Sequence, residues 1–285
     1  MFLSCVDPSL YYSREAPVDG KVTIEYLGTA GFVLKTEERV VVLDPFLTRP
    51  GILKTLFCKL DSDSELIRRA IPRADEVLIG HSHHDHILDA PELCHQTGAR
   101  LIGSHSTRVV GRAAGLPEEQ LIATSGGEDI ACGETTTVRG FASFHGKVMG
   151  RVPLPGDIPE LSEWPVRFTK LRHGLVLDWL VTMGGIRIMH IDSADFVEEE
   201  LAGIEVDVLC LCAVGWQSRP DYVRKAIELL RPRFVIPCHW DWFFRGYEKE
   251  PRCLPGVALP QFVEAIEKTG ATSVVLPLGA EFAFG

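Results

Sequence analysis

The sequence has little positive charge for its length. Its 285 residues include 29 Lys and Arg against 39 Asp and Glu, which gives a formal net charge of −10 at pH 7. Proteins whose main task is to hold nucleic acid usually present a basic surface that displaces counterions from phosphates. The charge balance therefore argues against nucleic acid as a partner.

Long apolar runs are also missing. The longest, such as "VDVLCLCAVGW", are far too short to span a bilayer. The opening "MFLSCVDPSLYYSREAPVDG" lacks the basic start and apolar core of a signal peptide. The eight cysteines lack the paired spacings of a structural zinc site or a disulfide framework. We expect a cytoplasmic protein with reduced thiols, no membrane insertion and a small-molecule substrate; a homo-oligomer is left open.

Three common catalytic motifs are absent from the sequence. There is no G-x-S-x-G turn that would expose a serine nucleophile, no Gly-rich loop for phosphates and no G-x-G-x-x-G dinucleotide motif. These absences give serine hydrolases and nucleotide-dependent enzymes little support.

Apolar runs of strand length recur along the chain, among them "KVTIEYLG", "RVVVLDP", "EVLIG", "IRIMHID" and "RFVIPCHW". The early runs follow one another closely, as in hairpins, whereas the later ones alternate with helical patterns such as "PDYVRKAIELLRP". This order predicts an α/β fold with sheets inside and helices outside, in one domain spanning 1–285. A proline-rich segment at about 146–173 interrupts the pattern and is predicted to be a lid-like inserted loop.

The stretch "HSHHDH" follows the apolar run "EVLIG" and carries four histidines and one aspartate in six positions. A loop that leaves a strand and turns into a helix can direct alternate side chains to different points. His81 and His83 could thus bind one metal ion, and Asp85 and His86 another. Imidazole and carboxylate are the ligands expected for zinc and related ions.

This stretch resembles the H-x-H-x-D-H signature of the metallo-β-lactamase superfamily. The resemblance covers nearly the whole chain, because "FASFHG", "IRIMHIDSAD" and "FVIPCHWDWF" supply further histidines and an aspartate in the family's order. It implies a four-layer αββα sandwich. The opening "IEYLGTAGFVLKTEERVVVLDPFL" is most similar to the ascorbate-6-phosphate lactonase-like branch of that superfamily.

The resemblance also implies a ligand set for two divalent metal ions. These are expected to be zinc, with manganese or iron as alternatives. One ion would be held by His81, His83 and His145, and the other by Asp85, His86 and His239, with Asp192 between them. Asp85 and Asp192 would be the catalytic carboxylates.

Four other residues are candidates for contacts around the ligands or with substrate. Asp44, in the Asp-Pro turn, could hydrogen-bond a ligand histidine and fix its tautomer, or it could be an ordinary turn residue. His173, Trp216 and Trp240 could contact substrate, or could lie at the surface or in the core. The variable position of the motif, His84, is expected at the rim of the pocket, and His190 is expected to be packed.

The implied activity is hydrolysis of a small ester, lactone or phosphoester by a metal-bridging hydroxide. The basic residues of the 146–173 segment would suit an anionic substrate, although they could equally be a solvated face. His83 argues against the superfamily's di-iron redox members, which typically carry glutamate there. The alternatives are a phosphodiesterase acting on nucleic acid or a lipid headgroup, a mononuclear iron dioxygenase, and a metal-binding scaffold without turnover.

Overall fold

Fourteen strands and eight α-helices lie within residues 6–12 and 21–284, the part of the chain described by the computed structural model. The strands are β1 Val22–Gly28, β2 Gly31–Lys35, β3 Val40–Leu43, β4 Glu76–Leu78, β5 Arg100–Gly103, β6 Leu121–Ala123, β7 Asp129–Ala131, β8 Thr137–Ser143, β9 Val176–Met183, β10 Ile186–Ile191, β11 Val208–Cys212, β12 Phe234–Cys238, β13 Thr272–Ser273 and β14 Glu281–Phe284. The helices are α1 Ile52–Phe57, α2 Ser64–Ala70, α3 His84–Ile87, α4 Ala90–Thr97, α5 His105–Ala113, α6 Glu198–Leu201, α7 Tyr222–Leu230 and α8 Leu259–Glu267.

The strands form two seven-stranded mixed sheets. The first has the order β14-β1-β2-β3-β4-β5-β6, and the second has the order β13-β12-β11-β10-β9-β8-β7. β1, β2 and β3 pair antiparallel, as expected for hairpins, whereas β3 to β6 and β10 to β13 pair parallel. The predicted change from hairpins to crossovers along the chain is therefore present within each sheet.

Alternating side chains of the first sheet pack into two apolar layers, one on each face of the sheet. On β2, Phe32 and Leu34 join the core shared with the second sheet, whereas Val33 joins a second apolar cluster. That second cluster includes Leu93 of α4 and Val110 of α5. Because successive strand residues point to opposite faces, the period of two in the apolar runs places one set between the sheets and the other under helices.

The outer face of the second sheet is covered by α6, α7 and α8. Helix α7 buries Tyr222, Ala226 and Leu230, which recur at helical spacing on one face. The arrangement is helix, sheet, sheet, helix, so the predicted αββα sandwich is confirmed. Among the described residues, no helix is long and apolar enough to cross a membrane.

Candidate metal centre

Five strands of the two sheets deliver polar side chains to one edge of the sandwich. Asp44 follows β3 directly, Asp192 follows β10 and His239 follows β12, while His81 lies three residues past β4 and His145 two residues past β8. β3 and β4 run parallel, and β8 runs in the direction of β10 because both pair antiparallel with β9. The carboxyl ends of these strands therefore meet, as they do at ligand sites of other α/β sheets.

The histidine-rich loop enters helix α3 within the motif. His83 occupies the position before the helix, and its carbonyl accepts hydrogen bonds from the N–H groups of His86 and Ile87, both at 3.0 Å. The Ser82 N–H donates to the carbonyl of His173 at 2.8 Å, which ties the loop to the end of the 146–173 segment. The expected change from strand to loop to helix at this motif is present.

The structure brings all seven sequence-predicted ligands together. Their side-chain nitrogen and oxygen atoms form three groups, and within each group one ligand atom per residue lies within 4.8 Å of the others. The groups are His81, His83 and His145; His81, His86 and Asp192; and Asp85, His86 and His239. The middle group shares one histidine with each of the outer two, so the residues form one continuous cluster.

Besides His81, whose Nδ1 faces Asp192, two ligand histidines have their Nδ1 atoms held by oxygen acceptors. His86 Nδ1 lies 2.9 Å from Asp44 Oδ2, and the Gly80 N–H donates to Asp44 Oδ1 at 2.8 Å. His145 Nδ1 lies 2.7 Å from the carbonyl oxygen of Gly146. A proton held on Nδ1 in this way leaves Nε2 with a free lone pair, which is the form that binds a metal.

Asp192 lies at the centre of the cluster with one oxygen unpartnered. Its Oδ2 is 2.5 Å from His81 Nδ1 and 3.5 Å from His86 Nδ1, whereas Oδ1 is buried and has no hydrogen-bond partner in the structure. A Cβ at Gly80 would stand 2.2 Å from Asp192 Oδ2, so only glycine allows this approach. A buried carboxylate oxygen without a partner is costly unless a ligand satisfies it.

In the part of the chain that the structure describes, the cluster contains acidic groups but no Lys or Arg side chain. Burial lowers the pKa of His81, His86 and His145, and lowers that of His83 to about 3, so these imidazoles are neutral near pH 7. Burial, followed by the charge of Asp192, raises the pKa of Asp44 well above its ordinary value. Buried acids beside neutral imidazoles favour the binding of a positive charge.

The pKa of the Asp85 carboxyl is shifted in the opposite direction to that of Asp44. Burial opposes its ionisation most strongly, but His84, His239 and His86 together hold its pKa well below the ordinary value. Asp85 Oδ2 lies 3.4 Å from His239 Nε2 and 3.9 Å from His86 Nε2. This side chain is therefore a carboxylate across the working range of most enzymes.

These observations fit divalent transition-metal ions. Neutral imidazole nitrogens and carboxylate oxygens make up the donor set, and the unpartnered Asp192 Oδ1 lies among them. Bound metal would supply the positive charge that the protein lacks here. The donor set does not select one metal, because zinc, manganese and iron all accept these ligands.

A buried ion pair lies behind the cluster and ties together the segments after β3 and β12. Arg49 Nη1 lies 2.7 Å from Asp241 Oδ2, and both side chains are almost fully buried. Asp241 Oδ1 also accepts hydrogen bonds from the Tyr26 hydroxyl and the Thr29 N–H. Sequence reasoning missed this network, because Arg49 and Asp241 are 192 residues apart and neither belongs to a motif.

Backbone strain is concentrated at the same place. Thr29, Asp44, Arg49 and His239 all have φ between 41° and 55°, in the left-handed region that non-glycine residues seldom adopt. Such conformations persist where the surrounding contacts enforce them, and they are frequent at functional sites. Here they turn the chain abruptly at the strand ends, where Asp44 and His239 reach the cluster.

A cavity of about 590 Å³ opens over the cluster, within the usual range for small-molecule sites. All seven ligands line it, and Lys147, Val148, Met149, Leu154, Phe168, Gln217, Ser218, Trp242, Phe243, Leu254 and Val257 contribute further wall. Sequence reasoning missed the wall residues Leu254 and Val257. The one sequence feature that could have indicated them is that they follow His239, the last ligand, in the chain.

The histidines outside the ligand set take different positions. His84 lines the cavity, as expected, but its ring is buried among Phe46, Phe168, Phe243 and Phe244. His190 is packed against Phe32, as expected.

His173 does not line the cavity. It stacks on the ring of His145 at 5.7 Å and meets the ring of His83 at 5.9 Å, so it supports ligands from behind. Of the two roles suggested for His173, contact with the ligands or with substrate, its position matches contact with the ligands.

The two tryptophan candidates lie outside the cavity wall. Trp240 is fully buried in the core beside Tyr26 and is absent from the cavity wall. Trp216 donates its indole N–H to the carbonyl of Val257 at 2.7 Å and packs on Phe262. It therefore positions a wall residue without lining the cavity itself.

The 146–173 segment is only partly at the site. Its first part, 146–154, lines the cavity, whereas Ile158, Val166 and Leu171 are buried in the apolar cluster outside the first sheet. Of its five basic residues, Lys147 lines the cavity and Arg151, Arg167, Lys170 and Arg172 do not.

Comparison with known proteins identifies relatives of this arrangement. A family model described as a β-lactamase superfamily domain matches residues 23–239. A metal-dependent hydrolase of the UPF0173 family from Anaeromyxobacter is 27% identical over 283 residues, covering 93% of this chain and 88% of the relative.

Two solved structures share the fold. A metallo hydrolase from the archaeon Ignicoccus hospitalis has a TM-score of 0.62 at 20% identity, covering 93% of this chain and 98% of the other. A diiron β-hydroxylase from Streptomyces venezuelae has a TM-score of 0.58 at 16% identity, covering 94% of this chain and 55% of the other.

Proposed function

Because the chain belongs to the β-lactamase superfamily and is a metal-dependent hydrolase, we propose that it uses two divalent ions, zinc in the first instance, to hydrolyse a small ester, lactone or phosphoester. The observation that carries the proposal is the set of three overlapping ligand groups beneath one cavity. We place the enzyme in the cytoplasm, because its described cysteines include six reduced thiols: Cys58, Cys94, Cys132, Cys210, Cys212 and Cys238.

The outer groups define the ligands of each ion. His81, His83 and His145 would hold one, and Asp85, His86 and His239 would hold the other. Asp192 contacts histidines of both groups and would lie between the ions. Asp44 would fix the His86 tautomer by accepting its Nδ1 proton in a hydrogen bond.

Two bound ions would supply an activated water near neutral pH and a Lewis acid for the attacked oxygen. Hydrolysis adds one water across the scissile bond. The water oxygen bonds to the carbonyl carbon or phosphorus, the bond to the leaving oxygen breaks, and the water proton ends on that oxygen. Asp85 orients the attacking water by accepting its hydrogen bond, because this ionised carboxylate lines the cavity beside His239.

Hydrolysis is favoured over redox chemistry by the residue at position 83. The fold alone does not separate them, since the diiron β-hydroxylase shares it. The nitrogen-rich group of His81, His83 and His145 lacks the glutamate found at position 83 in di-iron redox members, and it suits zinc. The finer assignment to the lactonase-like branch depends on the Asp-Pro turn at Asp44, whose carboxylate contacts His86.

Metal content and substrate range test the proposal together. Protein purified without chelators or a histidine tag should contain about two zinc or manganese ions per chain by mass spectrometry. It should hydrolyse at least one member of a panel of lactones, thioesters and phosphodiesters. One iron per chain with oxygen consumption and no hydrolysis would replace the proposal with dioxygenase chemistry, and absence of metal would favour a scaffold.

Replacement of the central aspartate tests the site assignment. Asp192→Ala should lower metal occupancy and reduce turnover by at least about 100-fold, because loss of a metal ligand disrupts both affinity and activity. The control is His105→Ala, since His105 is an exposed histidine outside the cluster and its loss should leave both properties unchanged. Unchanged turnover in Asp192→Ala would contradict the assignment.

A further inference from the structure

The cavity wall beyond the metal ligands is mainly apolar. Phe243 contacts the ring of the ligand His239 at 5.4 Å, so the apolar wall begins directly beside the cluster. Phe168, Leu254 and Val257 extend it. The Gln217 amide nitrogen already makes hydrogen bonds within the protein, since it donates to the carbonyls of Gly256 and Val257. A wall of this kind stabilises a ligand mainly by removing apolar surface from water.

A short hairpin at the cavity places two further apolar side chains there. Val148 and Arg151 exchange backbone hydrogen bonds of 2.9 and 3.2 Å, and the two residues between them, Met149 and Gly150, have φ of 52° and 78°. This is the geometry of a tight two-residue turn with two left-handed residues, for which Asn-Gly is the preferred sequence. Methionine is an unfavourable choice at the first of these positions.

Met149 is also the most exposed large apolar residue of the described chain. Met149 is 99% exposed and Val148 is 39% exposed, and both residues line the cavity. The base of the hairpin is held in place, since the Gly146 N–H donates to Ser193 Oγ at 2.9 Å and a Cβ at Gly215 would stand 2.8 Å from the carbonyl of Lys147. An apolar group of a ligand that covers these side chains would remove their surface from water and so contribute to binding.

Positive charge at the cavity is sparse. Lys147 is its one basic side chain among the described residues, and no arginine lines it. Lys170 and Arg172 line a separate groove together with Glu160. Substrates with a phosphate group away from the scissile bond are usually held by arginine pairs or several cations, so the wall beyond the metal ligands does not suit such a group.

We propose that the substrate is an uncharged carboxylic ester or lactone whose aliphatic or aromatic group lies against Met149, Val148 and Phe243. This inference rests on the proposed hydrolase function and narrows its substrate class. The reaction is the water addition described above, taking place at an acyl carbon and releasing a carboxylic acid and an alcohol, or a hydroxy acid from a lactone.

A series of p-nitrophenyl esters from acetate to octanoate tests the substrate class. kcat/KM should rise about threefold for each added methylene until the cavity is filled, because each buried methylene adds to binding. Bis-p-nitrophenyl phosphate should be a poorer substrate than the octanoate ester. A preference for the phosphodiester, or a flat chain-length series, would overturn the inference while leaving the hydrolase function intact.

The Met149→Asn variant tests the hairpin contact directly. Asparagine adopts the left-handed turn readily and removes the apolar side chain, so the variant should fold. KM for the octanoate ester should rise about five- to tenfold, whereas KM for the acetate ester and both kcat values should change less than twofold. Leu53→Asn is the matched control, because Leu53 is a 74% exposed apolar residue outside the cavity. Equal effects of Met149→Asn on both esters would overturn the inference.

Binding of unreactive ligands separates this inference from the proposed function. By isothermal titration, octanamide should bind the protein more tightly than butanamide and more tightly than octyl phosphate, and Met149→Asn should weaken octanamide binding. Tighter binding of octyl phosphate would overturn the inference. Octanamide binding by a protein with no metal and no turnover would overturn only the hydrolase function.

Discussion

At the scale of single residues, Asp44 shows how a side chain outside the ligand set can control the site. One of its oxygens faces His86 Nδ1 at 2.9 Å and the other accepts the Gly80 N–H at 2.8 Å. Its φ of 41° directs the side chain toward the cluster from the end of β3. The residue therefore links the backbone of the histidine loop to the tautomer of a ligand.

We expect Asp44→Asn to weaken metal binding by about 10- to 100-fold, as is typical when a hydrogen-bond partner of a ligand histidine is lost. Asparagine tolerates a left-handed φ, so the fold should be retained. Dissociation constants from competition with a chromophoric chelator would measure the effect, with the exposed Asp61→Asn as control. An unchanged dissociation constant would show that Asp44 is only a turn residue.

At the scale of elements, the segments after β3 and β12 are fixed to each other by the Arg49 and Asp241 ion pair. Arg49 also donates to the carbonyls of Phe46 and Leu27, so its guanidinium joins two backbone carbonyls to the Asp241 side chain. A Cβ at Gly28 would stand 1.9 Å from Arg49 Nη2, which requires glycine at the turn between β1 and β2. The pair thereby fixes the strand ends that carry Asp44 and His239.

We expect Asp241→Asn to lower the free energy of unfolding by about 3 kcal/mol, because it leaves the Arg49 charge buried without a counter-ion. The amide oxygen of the new asparagine still accepts a hydrogen bond from Tyr26 or Thr29. The lost stability therefore reflects mainly the unpaired Arg49 charge. Urea denaturation of Glu205→Gln provides the comparison, since the Arg231 and Glu205 pair is exposed and should contribute little. Similar losses in the two variants would contradict a special role for the buried pair.

These elements also show which features can be predicted from the sequence. The strand ends that bear His81, His145, Asp192 and His239 were predictable, because each ligand follows an apolar run of strand length. The Arg49 and Asp241 network was not predictable, because its hydrogen bonds join residues that only the folded topology brings together. For Trp240 the sequence left both core and cavity wall open, since local sequence does not distinguish the two positions; the structure places it in the core.

At the scale of the whole molecule, the cluster joins the two sheets. The His81 to His86 loop and Asp44 come from the first sheet, whereas His145, Asp192 and His239 come from the second. The sheets also share one apolar core, so separating them would expose that core and break the cluster together. Metal binding and the stability of the sandwich should therefore be coupled.

Removal of metal should lower the stability of the whole fold. A ligand that binds only the folded state stabilises it by about 4 kcal/mol at a concentration 1,000 times its dissociation constant. Chelator treatment should therefore lower the urea midpoint of the wild-type protein, and added zinc should restore it. Asp192→Ala should show a smaller response, because the residue that contacts both outer groups is gone. If protein shown to bind metal had the same urea midpoint with and without it, metal binding at the cluster would not be coupled to the stability of the sandwich.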